Sequence, residues 1–73
     1  MDRPEGTPTV VVEDSENRLE ILIFKTHEHY SVYWQQAQDS EDRDDWRWNL
    51  QPRSYKTAMA AIRAVYTIVR GWN

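Results

Sequence analysis

Along this chain the spacing of apolar positions changes once. Up to about residue 50 they recur at every second place, the period of a strand; from residue 54 they recur at every third and fourth, the period of a helix. Thr9-Val10-Val11-Val12-Glu13 is β-branched and predicts a short strand. Asp14-Ser15-Glu16-Asn17 has turn chemistry. Leu19 to Lys25 predicts a second strand, with Leu19, Ile21 and Ile23 on one face and Glu20, Leu22 and Phe24 on the other. Thr26-His27-Glu28-His29 reads as a hairpin turn. Tyr30 to Gln36 follows as a strand, with Tyr30, Val32 and Trp34 opposite in sense to Ser31, Tyr33 and Gln35. Trp46 to Leu50 alternates again and predicts Trp46, Trp48 and Leu50 inward, Arg47 and Asn49 outward, until Pro52 removes a ladder donor.

The helix is predicted from an N-cap at Ser54 to a stop at Gly71, with Trp72 folding back on its last turn. Tyr55, Ala58, Met59, Ile62, Val65, Tyr66 and Val69 form its apolar stripe. Lys56, Arg63 and Arg70, seven apart, line one rim; Thr57, Ala60, Ala64, Thr67 and Gly71 make a small, neutral outer face. The fold class is therefore α+β: a three- or four-stranded antiparallel meander, with one C-terminal helix packed on the face built from Ile21, Ile23, Val32, Trp34, Trp46 and Trp48. Residues 1–8, with Pro4, Gly6 and Pro8, read as a flexible N-terminal tail, and 9–73 as a single ββ(β)βα domain.

Composition narrows this picture. Seventy-three residues make one small core, and with no cysteine there is no disulfide or thiolate metal site to brace it. The four Trp and four Tyr must supply much of the buried area. Absent cysteine fits a cytoplasmic protein, and no apolar run is long enough for a membrane span. The first residues are charged with no apolar segment behind them, so no signal peptide is expected there.

The net charge of −3 conceals a split. All 12 acids precede Trp46, accompanied there by Arg3, Arg18, Lys25 and Arg43; beyond it stand Arg47, Arg53, Lys56, Arg63 and Arg70 with no acid. Arg53 and Lys56 sit at the predicted helix N-terminus, whose dipole disfavours cations, so an anion is expected there, either Asp44 or Asp45 or a ligand.

Catalytic chemistry finds no support. There is no cysteine nucleophile and no Ser in an elbow motif, and Gly6 and Gly71 alone make no phosphate loop, so the expectation is a protein that is not an enzyme and carries no cofactor. His27-Glu28-His29 brings two imidazoles together without a third ligand, so no metal site is expected. The acid cluster Asp39, Glu41, Asp42, Asp44 and Asp45 lacks the calcium-loop spacing and reads as a solvated, partner-facing loop.

Trp46-Arg47-Trp48-Asn49-Leu50 resembles the aromatic-Arg-Trp-x-Leu strand of YegP-like domains over five residues. That family continues with an Asn-Gly turn and another strand, where this chain enters a helix. In size, acidity and lack of cysteine the chain also resembles accessory proteins of phages and mobile elements. The expected function is a small non-catalytic protein-binding module of the phage or mobile-element accessory or inhibitor type, acting through the acidic loop and a sheet face carrying Leu22, Phe24 and Tyr33. The expected partner is a host protein or a second copy in a homodimer, not a membrane. The alternative is a nucleic-acid-binding domain contacting phosphates with Arg47, Arg53, Lys56, Arg63 and Arg70.

Overall fold

The computed structural model describes residues 3–36 and 47–71. Four strands, β1 (Val10–Asp14), β2 (Leu19–Thr26), β3 (His29–Gln36) and β4 (Asn49–Leu50), precede one helix, α1 (Ala58–Gly71). The sheet is an antiparallel meander in the order β1-β2-β3-β4, so the N-terminal strand joins it. The acid cluster 39–45, Trp46 and Trp72 lie outside the described residues.

Both tight turns are closed without glycine. In the first, the Asp14 carboxylate accepts from the Asn17 backbone N–H at 3.1 Å and from the Asn17 amide at 2.8 Å, and Arg18 follows at φ 54°. In the second, His27 stands at φ 53° between the paired ends Thr26 and His29. Left-handed backbone costs a side-chain-bearing residue about 1–2 kcal/mol, which the long β2–β3 ladder offsets. His27 occupies the turn and His29 opens β3, so Thr26-His27-Glu28-His29 is the hairpin turn its sequence predicts.

Period two puts Leu19, Ile21, Ile23, Val32 and Trp34 on the helix side, where they are buried with Tyr55, Ala61, Val65 and Val69. Each fully buried aliphatic side chain contributes about 1.5–3 kcal/mol. After β4 the chain still follows β3. Gln51 N donates to Val32 O at 3.1 Å, Pro52 interrupts the ladder, and Tyr55 and Tyr30 exchange backbone hydrogen bonds at 2.7 and 2.9 Å. Tyr55 is thus strand-like, and the helix begins later than Ser54. Thr57 is its N-cap: the hydroxyl accepts from Ala60 N at 3.1 Å and the carbonyl from Ala61 N at 3.2 Å.

The helix is also rotated relative to the predicted stripe. Ala61, Val65 and Val69 are buried, Ala58, Ala60 and Ala64 pack against the core, and Met59 is 60 % exposed. The physical reason is clearance: a methyl group at position 61 lets the helix axis approach the sheet more closely than Met59 would. Met59, Arg63 and Arg70 consequently lie opposite the buried stripe, so the bases occupy the middle of the outward face and not a rim.

β4 corrects a third expectation. Its register pairs Leu50 with Tyr33 and Asn49 with Trp34. Leu50 therefore stands on the face away from the helix. Trp48 is buried yet is not among the residues of the helix-side core. Alternation shows which residues share a face; the cross-strand register decides which face that is.

Candidate interaction surfaces

Two surfaces carry the residues singled out from the sequence. The first is the sheet face turned away from α1. Register alone assembles it: Val11 pairs with Leu22, Leu22 with Tyr33 and Tyr33 with Leu50, one apolar row crossing all four strands. The middle of the row is closed. Leu22 is fully buried, so it supports the surface from beneath and is not itself exposed. Tyr33 is half-buried and meets the half-buried Phe24 ring edge to face, with centroids 5.7 Å apart. The ends are open: Val11 is 48 % and Leu50 47 % exposed. Near Phe24 the segment before β1 closes in; Gly6, at φ +97°, lies where a β-carbon would meet the ring at 3.9 Å.

A polar row borders the apolar one. Glu13 stands directly opposite Glu20, and Glu20 opposite Gln35. Gln35 is buried, and its amide donates to the Glu20 carboxylate at 2.9 Å. Sequence alternation identified Leu22, Phe24 and Tyr33; it missed Val11 and Leu50, which only the β1 and β4 registers bring into line.

The second surface is the outward side of α1. Lys56, Arg63 and Arg70 are all exposed, beside Met59, and the helix has no acid in its first turn. Arg53 lies before the helix, with its guanidinium over the Tyr55 ring at 5.3 Å. The cation crowding foreseen at the helix start is therefore reduced: Arg53 and Lys56 both precede the cap at Thr57. Arg47 is exposed beside β4.

One polar contact ties the layers. The Tyr66 hydroxyl donates to the Asp14 carboxylate at 2.7 Å, linking α1 to the end of β1. The Asn17 amide, then the Tyr66 hydroxyl and the Asn17 N–H, hold Asp14 below the usual carboxylate range. The same bond to Asp14, with burial, raises the Tyr66 phenol, against an opposing pull from Arg70. Nothing in the sequence spacing signalled this pair. Among the described residues no group of three or more His, Cys, Asp or Glu is placed to hold a metal ion, and no helix is long and apolar enough to cross a membrane. No family model, curated protein or solved structure matches the chain.

Proposed function

We propose that this chain is a non-catalytic module that binds another protein through the sheet face away from its helix. The observation that supports this is the row Val11–Leu22–Tyr33–Leu50, apolar on every strand and half-exposed at both ends. Val11 and Leu50 are the exposed ends of one row on a face that α1 does not cover, and exposed apolar side chains grouped on one face favour an interface. Glu13, exposed at the border of this row, favours a partner whose apolar patch carries a Lys or Arg at its edge. The acids at 39–45 add long-range attraction toward the same basic partner.

The test is capture with three baits: the unchanged chain, Leu50→Lys, and Arg63→Glu/Arg70→Glu. A partner held by the first and third and lost with the second supports the reading. A partner held equally by the first and second overturns it.

A second reading, nucleic-acid binding, is favoured by one specific arrangement: Lys56, Arg63 and Arg70 exposed on a helix side without an acid. It predicts binding to DNA or RNA that weakens steeply with salt and is lost in Arg63→Glu/Arg70→Glu. Absence of binding at low salt removes it.

A further inference from the structure

Among the described residues, nothing pairs with the outer edge of β1. β1 has one neighbour, β2, and α1 packs over β2 and β3. The segment before β1 does not cover the edge either, since Gly6 lies against Phe24 of β2. Soluble proteins guard such edges with Lys, Pro, a bulge or a very short strand. Val10-Val11-Val12-Glu13-Asp14 contains no Lys and no Pro, and it pairs with β2 residue for residue; a bulge lies only before it, where Thr9 N donates to Ile23 O at 2.7 Å although Ile23 is the register partner of Val10. The other edge, β4, is short, with two residues.

We propose that β1 pairs antiparallel with β1 of a second copy, about a two-fold axis at Val11, to give a continuous eight-stranded sheet. The residues of this strand select a second copy because Val10-Val11-Val12 complements itself. With Val11 against Val11, Val10 faces Val12 and Glu13 falls beyond the paired valines, so apolar meets apolar and no acid faces an acid. A shift to an axis at Val12 sets Val11 against Glu13 and Val10 against Asp14, placing carboxylates opposite valines. The Val11 axis also has a consequence on the far face. The apolar row of each copy ends at Val11, half-exposed, and the pairing joins the two rows into one. Val11 and Glu13 of the two copies then share that face, while Val10 and Val12 stay on the helix side. Asp14, held by Tyr66, fixes the end of the strand against its own helix.

The inference stands apart from the partner-binding reading. Dimer formation widens the apolar face without requiring that anything else bind it.

The chain has no cysteine, which makes the experiment direct. Opposed residues in antiparallel strands are about 4.5–5.5 Å apart at Cα, within disulfide range. Val11→Cys is oxidised beside Glu13→Cys and Glu28→Cys, the last on the β2–β3 turn, and sedimentation of the unchanged chain runs from about 10 μM to about 1 mM. Expected are a dimer that grows with concentration and Val11→Cys cross-linking about tenfold or more faster than either control. Val11→Lys, checked for an unchanged circular dichroism spectrum, should sediment as a monomer. Sedimentation as a monomer by the unchanged chain throughout overturns the edge pairing and leaves the partner-binding reading intact. Cross-linking at Val11 no faster than at Glu28 overturns it too, as does a dimer lost in Leu50→Lys and kept in Val11→Lys, which would place the contact on the face.

Discussion

Ile21 and Leu22 are chain neighbours, equally and fully buried, yet what encloses them differs. Ile21 faces α1 and sits in a core assembled from three strands' worth of chain and the helix; Leu22 faces away, in a row whose ends are half-open. One sheet thus has a face closed by α1 and a face that α1 does not cover, whose row is open at both ends. The lesson is that burial of a single residue does not distinguish a core from an interface; the state of its row does.

Truncation is the largest lever on that comparison. Ile21→Ala should cost about 3–5 kcal/mol, since the helix above cannot collapse into the space. A chain of this length has about 4–10 kcal/mol in total, so the variant should be barely folded in urea titrations. Leu22→Ala should cost less, about 2–3 kcal/mol, because the open row can relax around it. Equal losses would make the two faces equivalent cores.

Overpacking comes next. Ala61→Leu should destabilise by about 1–3 kcal/mol in the same titrations, because Ala61 is fully buried in the core between α1 and the sheet. A neutral outcome would mean that the helix is not held at its distance from the sheet.

The polar tie between layers gives a smaller, pH-dependent effect. Asp14 is lowered in the fold, so its contribution is present above the ordinary carboxylate value of about 3.9 and is lost as pH falls through the folded value. Tyr66 is raised, so its contribution is present below about 10 and is lost as pH rises through the folded value. Tyr66→Phe should remove the alkaline loss and move the Asp14 titration upward, part of the way, because Asn17 still bonds the carboxylate. An NMR titration of the Asp14 carboxyl that did not move would show the hydroxyl to be idle there.

How much of this was legible depended on the kind of information required. Period two alone separated Ile21 and Ile23 from Leu22 and Phe24, and Val32 and Trp34 from Tyr33, as the strands have them. It could not say which face Leu50 and Trp48 join, because that rests on pairing with β3 across a span of sequence. The helix was legible as a helix and misread in rotation: hydrophobicity weights Met59 above Ala61, whereas packing weights clearance. Its cap was misplaced for a related reason, since Tyr55 is drawn into a bridge with Tyr30 and delays the first helical turn to Thr57. The Asp14–Tyr66 contact joins residues 52 apart, and no local pattern carries it.

Met59 gives the smallest effect and the sharpest decision between the two readings of the helix. If it belonged to the apolar stripe, Met59→Glu would bury a carboxylate beside the sheet and cost several kcal/mol. At 60 % exposed, opposite Ala61 and Val65, it faces water. The substitution should then change stability by no more than about 0.5 kcal/mol. It would also set an acid at N2 of the helix, where the backbone dipole favours one, and within reach of Arg63 four residues on. Those two effects should make the change slightly stabilising in urea titrations at low salt, and the gain should shrink as salt is added. A loss beyond about 1 kcal/mol would rotate α1 back toward the stripe that hydrophobicity alone suggests, and would take Arg63 and Arg70 back from the middle of the outward face to its rim.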